Sequence, residues 1–298
     1  MVIREIMSDL YFLEYFVNPH QRVYWLYILS TLLIATVYLI LNPKEKKINM
    51  SQKLWLHPSA TLDYRYFAIS YFIKIWLVIP VLIGANDVAL FTQTLLSDYF
   101  GFFFYEGLSY TEIMILFTVT LFIVSDFTRY WLHRFMHTIP LLWKFHKVHH
   151  SAKVLTPITF YRVHPIENIL FGFRFSLSAG IVTGIFVFLF GGLLSFMDLL
   201  GVNIIVFIFN VTGSNLRHSH IKLRYFRWIE NFFISPFQHQ IHHSTKFYNY
   251  NFGGTLAIWD LWFKTLKYSK EIKNMELGLK QVQHNNILDL LLLRKNQW

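Results

Sequence analysis

Uncharged apolar runs alternate with short, basic polar segments along this chain. Val23 to Leu41 is apolar throughout and of spanning length, and Asn42-Pro43, followed by Lys44, Lys46 and Lys47, stops it. Further candidate spans run from Tyr66 to Gly84, from Ile113 to Asp126, from Phe175 to Met197 and from Leu199 to Leu216. Lys74 lies inside the second, which suits a tilted helix or a partly re-entrant segment. Asp198 separates the last two, and with Gly191 and Gly192 just before it they read as a tight helical hairpin. Residues 1–22 read as an amphipathic lead-in and not a signal peptide, because Glu5, Asp9 and Glu14 interrupt them. The pattern predicts an all-α, polytopic membrane protein with a helical transmembrane bundle of four to five spans. The tail segment 287–293, ILDLLLL, is too short to span and is expected on the membrane surface or packed on the protein.

Composition supports the same class. Hydrophobic residues make up 54% and charged residues 15%, against about 25% charged in soluble domains. That excludes an ordinary soluble globule and a disordered chain. The net charge of +10 is spread over segments that flank the apolar runs, so it reads as topology and not as nucleic-acid binding. Residues 42–65 carry five basic and two acidic side chains, 97–112 none and three, 126–168 six and two, 217–298 twelve and five. The alternation places 42–65, 126–168 and the C-terminal part on the cytoplasmic side. Internal repeats and low-complexity tracts are absent. With no cysteine, disulfides, Cys-ligated clusters and thiolate zinc sites are excluded.

The fourteen histidines change the picture from fold to chemistry. HRFMH supplies His133 and His137, HKVHH supplies His146, His149 and His150, and HQIHH supplies His239, His242 and His243. Residues three and four apart share a helix face, so each cluster aims imidazoles at one point. A chance HxxHH is expected roughly 0.03 times in a chain of this composition, and two copies far less often. Eight converging imidazoles suit a pair of transition-metal ions. His20, His57 and His284 stand alone and read as ordinary polar residues. HExxH is absent, since Arg134 follows His133, which argues against a zinc protease of that type. All-histidine sites suit iron, copper, zinc or manganese. The number of histidines fits iron best, since two six-coordinate ions need roughly eight to ten protein ligands.

At these residues the sequence resembles the fatty acid hydroxylase / sterol desaturase superfamily of membrane-bound, histidine-rich di-iron oxygenases. The carrying motifs are DFTRYWLHRFMH and PLLWKFHKVHHS, then RVHPIE, LRHSH and FISPFQHQIHHS, over about residues 120–270. The resemblance implies a transmembrane bundle under a cytosolic helical cap. It also implies a catalytic centre of His133, His137, His146, His149, His150, His239, His242 and His243 as metal ligands. His164 and His218 would complete the ligand set, and His220 would be an outer or water-mediated partner. Asp126 and Glu167 match acidic family positions. They read either as carboxylates that fix a ligand's tautomer or as ion-pair partners of Arg129 and Arg162. Phe160, Tyr161 and Phe171 are candidates for lining a substrate channel, or for ordinary apolar packing.

The domain expectation is an amphipathic segment at 1–22, a transmembrane region at 23–112, a fatty acid hydroxylase-like catalytic domain at 113–270 and a peripheral tail at 271–298. The functional expectation is O₂-dependent hydroxylation or desaturation of a membrane lipid (a sterol, sphingolipid or fatty acyl chain) by two iron ions, with zinc as a purification substitute and O₂ as co-substrate. No G-x-G-x-x-G and no fused haem domain occurs, so electrons would come from a separate donor protein. Nucleic acid is not expected as a partner, and the sequence does not fix an oligomeric state. The expected location is a bacterial cytoplasmic membrane, with the metal site on the cytoplasmic face. The rival readings are a non-redox metal-binding membrane protein, such as a transporter or sensor, and a metal-dependent hydrolase that uses metal-bound water.

Overall fold

The computed structural model describes residues 14–49, 51–191, 194–199, 202–272, 275–280 and 284–294. Most of the lead-in expected at 1–22, and parts of the expected tail at 271–298, lie outside the described residues. The architecture is helical, as the hydrophobic pattern predicts. Helix α1 spans Trp25–Leu41, α2 Pro58–Ile73, α3 Ala85–Phe100, α4 Tyr110–Thr138, α5 Pro140–His150 and α6 Pro165–Phe190. Shorter helices follow: α7 Ile204–Val211, α8 Pro236–His242, α9 Ile258–Trp262 and α10 Ile287–Leu291. The α2–α3 stretch Pro58–Phe100, α4 and α6 are each long and apolar enough to cross a membrane. Helix α1 is apolar but 17 residues long, about 25 Å at 1.5 Å per residue. Leu29, Leu32, Leu33 and Ile40 on α1, and Leu90, Phe91 and Leu95 on α3, are exposed. Water would penalise that surface and acyl chains would not. This is a membrane protein.

Three sequence expectations change in detail. The third span runs from Tyr110 to Thr138, carrying His133 and His137 in the same helix as the apolar run. The fourth starts at Pro165 and stops at Phe190, where Gly191 takes φ 78°. The run 199–216 is not one long helix, although it leads from the Thr118 level of α4 back to the histidine cap. Asp198–Leu199 pairs antiparallel with Val202–Asn203. The Asn203 side chain then caps α7 by accepting the Ile205 amide, and α7 is 8 residues long, about 12 Å. Gly213 at φ 94°, a left-handed conformation suited to glycine, follows it. The expected helical hairpin at 191–199 is therefore replaced by this short antiparallel pair.

Helix α6 is the central strut. Against α3 it runs in the same sense, with Gly180 over Ala85 and Val88 and Gly184 over Ala89 and Thr92. Against α4 it runs in the opposite sense. Phe117 meets Val182 and Phe186 at one end, and Arg174 meets Ser125 near the other. A Cβ on Gly184 would stand 2.5 Å from the Ala89 carbonyl oxygen, so the small-xxx-small spacing lets two backbones touch. Gly184→Leu is expected to destabilise the bundle by about 1–3 kcal/mol. The check is a lowered thermal midpoint of the purified protein in detergent.

At the polar end of the bundle a helical cap closes over α2, α4 and α6. Tyr66 donates to the Val163 carbonyl at 2.7 Å. Arg162 is fully buried; its Nε binds Asp63, its Nη2 donates to the Ser59 carbonyl at 2.7 Å, and Thr159 donates to the other Asp63 oxygen. The tail helix α10 packs Leu290 against Leu62, Tyr66 and Val148. The expected packing of this segment on the protein is thus present, while Leu288 and Leu292 stay exposed.

Candidate metal centre

Helix order builds the centre. Helix α4 ends at Thr138, Ile139 is extended, and Pro140 opens α5, so two helices meet at a sharp corner. His133 and His137, one turn apart on α4, thereby face the HKVHH helix. Ser235 and Gln238 form a reciprocal cap that starts α8 and fixes the third cluster. Gln240 donates to the carbonyls of Leu216 and Ile221, which ties α8 to the turn carrying His218.

Nine histidines converge in two groups. The first is His133, His137, His146, His150 and His242; the second is His149, His218, His239 and His243. Within each group, potential ligand atoms lie within 4.8 Å of one another, and all nine side chains are largely or fully sequestered from solvent. The HxxHH boxes are shared between the groups. His146 and His150 enter the first while His149 enters the second; His239 and His243 enter the second while His242 enters the first. Residues four apart share a face and the residue between them points aside, so one helical turn serves both groups. The groups adjoin, with His150 and His243 stacked at 4.7 Å between ring centroids.

The ring nitrogens test whether cations fit. His133 Nδ1 donates to the Phe252 carbonyl at 2.7 Å, His242 Nδ1 to the Tyr250 carbonyl at 2.7 Å, and His149 Nδ1 to the Arg162 carbonyl at 3.2 Å. His146 Nδ1 donates to Glu167 Oε1 at 2.8 Å. Those bonds assign the proton to Nδ1 and leave Nε2 as a bare lone pair. Yet His133 Nε2 stands 3.1 Å from both His146 Nε2 and His242 Nε2. In the second group His149, His218, His239 and His243 form a chain of Nε2 contacts at 3.2 Å. In the first group lone pairs of His133, His146 and His242 thus face one another and repel, and a cation among them reverses the sign. Burial also depresses the imidazoles, His146 to about 3 and His149 to about 4, which keeps the rings neutral at physiological pH. The donor set fits two transition-metal ions.

The outlying sequence expectations divide. His218 joins the second group. His164 does not join either. It caps α6, accepting the Ile166 amide on Nδ1, and its Nε2 meets the Leu291 carbonyl at 3.1 Å. Its place before Pro165 commits it to the helix start. His220 accepts the Leu155 amide and also stays out. Among the isolated histidines, His57 caps α2 and His284 meets Ser151. Glu167 holds His146, as a tautomer-fixing carboxylate should. Asp126 does something else: it accepts the amides of Thr255 and Leu256 and the Trp259 indole N–H, at 2.9–3.1 Å. Asp260 accepts the amides of Phe252 and Gly253. These carboxylates pin the loop whose carbonyls orient His133 and His242. Sequence reasoning missed that loop, although Asn251-Phe252-Gly253-Gly254 was a visible turn signal. Glu167→Gln is expected to keep the fold but weaken metal retention and turnover about 10–100-fold. Metal content after dialysis against a weak chelator checks it.

A cavity of about 270 Å³ opens beside both groups. It reaches His133, His146, His149, His218 and His239, and Phe160, Tyr161 and Phe171 line its wall. All three aromatics thus border this cavity. The centre therefore has a room next to it, bordered by the apolar helices α2, α4 and α6.

Comparison with known proteins agrees with this geometry. Residues 118–265 match the fatty acid hydroxylase family model, and all nine clustered histidines fall inside that match. Over 176 residues the chain is 27% identical to an alkylglycerol monooxygenase of Xenopus tropicalis, covering 55% of this chain and 35% of that protein. Over 163 residues it is 28% identical to an ornithine lipid hydroxylase of Rhizobium tropici, covering 53% of this chain and 44% of that protein. The matched region spans less than half the length of either relative. No solved structure matches. By the segment that holds both histidine groups, the chain belongs to the fatty acid hydroxylase family.

Proposed function

We propose that this chain is an O₂-dependent lipid hydroxylase with two iron ions held by the histidine groups. One observation carries the reading: buried, neutral imidazole lone pairs converge as two adjoining groups at the wall of a cavity that borders apolar helices. The similar proteins are named as a monooxygenase and a hydroxylase of lipids, which favours oxygen insertion over desaturation. His133, His137, His146, His150 and His242 would hold one ion, and His149, His218, His239 and His243 the other. Iron bound there supplies the O₂-dependent redox chemistry that an unactivated C–H bond demands.

The chain's own residues do the rest. Glu167 and the carbonyls of Phe252, Tyr250 and Arg162 hold four imidazoles in one tautomer and one orientation. Phe160 and Phe171 give the cavity apolar walls that exclude water and align a chain. Residues 113–270 form the catalytic unit, with its own spans α4 and α6, 23–112 an N-terminal transmembrane region and 271–298 a peripheral tail. The centre faces the cytoplasm, where a separate electron-donor protein docks.

The deciding experiment incubates purified, iron-loaded protein with membrane lipid, a reductant system and isotopically labelled O₂. Expected is a lipid product that carries the label, with iron bound to the protein. Label from water instead of O₂ would make the chain a hydrolase. Bound metal with no altered lipid would make it a sensor or transporter.

A further inference from the structure

Four arginines from separate parts of the chain line the cavity beside the histidine groups: Arg22 before α1, Arg129 on α4, Arg174 on α6 and Arg217 in the turn that carries His218. Lys74 lines it as well. Among the described residues, none of the four arginines has a carboxylate within ion-pair distance. The ion pairs found are Arg162 with Asp63, Lys267 with Glu271, and His146 with Glu167. Asp126 is committed to the Thr255–Trp259 loop and Glu167 Oε1 to His146. Glu167 Oε2 has no partner and Glu167 lines the same cavity, so the four guanidinium groups face one carboxylate there.

Each guanidinium has five donors, and most remain unspent. Arg22 uses Nη1, on Asn210 and Ser214. Arg174 uses Nη1, on Ser125 and Thr128, while its buried Nε has no partner. Arg217 uses Nε and Nη1, on the carbonyls of Ser214 and Gly254. Arg129 makes no hydrogen bond among the described residues and faces the Phe171 ring at 5.6 Å. A purely structural role as clips for carbonyls would account for the Nη1 contacts. It accounts neither for Arg129 nor for four cations converging on one cavity. Four cations gathered away from water around one carboxylate, none of them in an ion pair, are costly, and an incoming oxyanion offsets that cost with charge-assisted, bidentate bonds.

We propose that this cavity is an oxyanion site that takes the phosphate or carboxylate head of an anionic lipid and presents the lipid head-first to the histidine centre. The proposal rests on the oxygenase reading for what happens next, and on the arginines for what binds. Arg129 lies one helical turn before His133, about 5–6 Å between Cβ atoms. The anion therefore stands close to the imidazoles, and the carbons nearest the head are those within reach. A lipid with a neutral head would leave most of the guanidinium charge uncompensated.

The test reads binding and not turnover. Purified full-length protein in detergent at low salt is titrated with dioctanoyl phosphatidate, dodecanoate, dioctanoylglycerol or inorganic phosphate, and the thermal midpoint is followed. Expected is saturable stabilisation by phosphatidate or dodecanoate, with dioctanoylglycerol about tenfold or more weaker. Arg129→Gln and Arg174→Gln are each expected to weaken the anionic ligand about tenfold or more, equal to about 1.4 kcal/mol, without changing the response to dioctanoylglycerol. Inorganic phosphate binding as tightly as phosphatidate would keep the oxyanion site but assign it to a free ion, overturning the lipid head. Equal binding of phosphatidate and dioctanoylglycerol to the unmodified protein overturns the site outright, whether or not the variants fold. Anion binding without labelled product would remove the oxygenase reading alone. Labelled product from neutral and anionic lipids alike would remove this proposal alone.

Discussion

Lipid oxidation is expected to fall about 10³-fold or more, together with bound iron, when His146 or His243 is replaced by alanine. The outer partners of a metal site are each worth about 10–100-fold, and a ligand must exceed them. His146 touches two neighbours of its group through Nε2, His133 at 3.1 Å and His150 at 3.2 Å. His243 closes the second group against His239 at 3.2 Å and stacks on His150 of the first. Each alanine removes a donor and leaves a hole between the groups. The measurement is elemental analysis of the purified variant alongside product quantification by mass spectrometry. Full turnover with half the iron would show that a single ion suffices, and the paired-metal reading would fall.

The second large effect concerns folding. Asp63→Ala is expected to destabilise the protein by about 3–5 kcal/mol, because it strands the Arg162 guanidinium in the interior. Arg162 is 1% exposed, and Asp63 accepts from its Nε and from Thr159. The same arginine's carbonyl orients His149, so the damage reaches the second histidine group. A thermal melt in detergent should show a fall of several degrees or loss of a folded transition, with metal loss in the surviving fraction. The double variant Asp63→Ala/Arg162→Met should recover much of the midpoint, since no unpaired charge remains. Failure to recover would place the cost in Asp63's bond to Thr159 instead.

The histidine boxes were legible because their signal is local: spacings of three and four along one helix define a face before any tertiary contact is known. Their division into two groups was not, because it depends on how α5 and α8 face each other across the centre. The acceptors that orient the rings were invisible for a different reason. Phe252, Tyr250 and Arg162 act through backbone carbonyls, which leave no trace in residue type. Asp126 illustrates the converse. Its acidity next to Arg129 suggested an ion pair or a ligand-orienting carboxylate, but its partners are amides about 130 positions downstream. Hydropathy also misread 199–216 as one long helix. Apolar composition is continuous there, whereas Asn203 and Gly213 bound a helix too short to span. The same apolar bias hid Arg174, a charge inside the α6 run that intramembrane cost alone could have flagged.

The interleaving of the two HxxHH turns has a mechanical consequence. His149 and His150 are neighbours in the chain, as are His242 and His243, and each neighbour serves a different group. Consecutive Cα atoms are held about 3.8 Å apart by a rigid peptide. The separation of the two histidine groups is thus gauged by covalent geometry at two places, and neither helix can slide without carrying part of both groups along. Ions held there would be expected to load and empty as one unit, at a spacing that survives motion of the surrounding bundle.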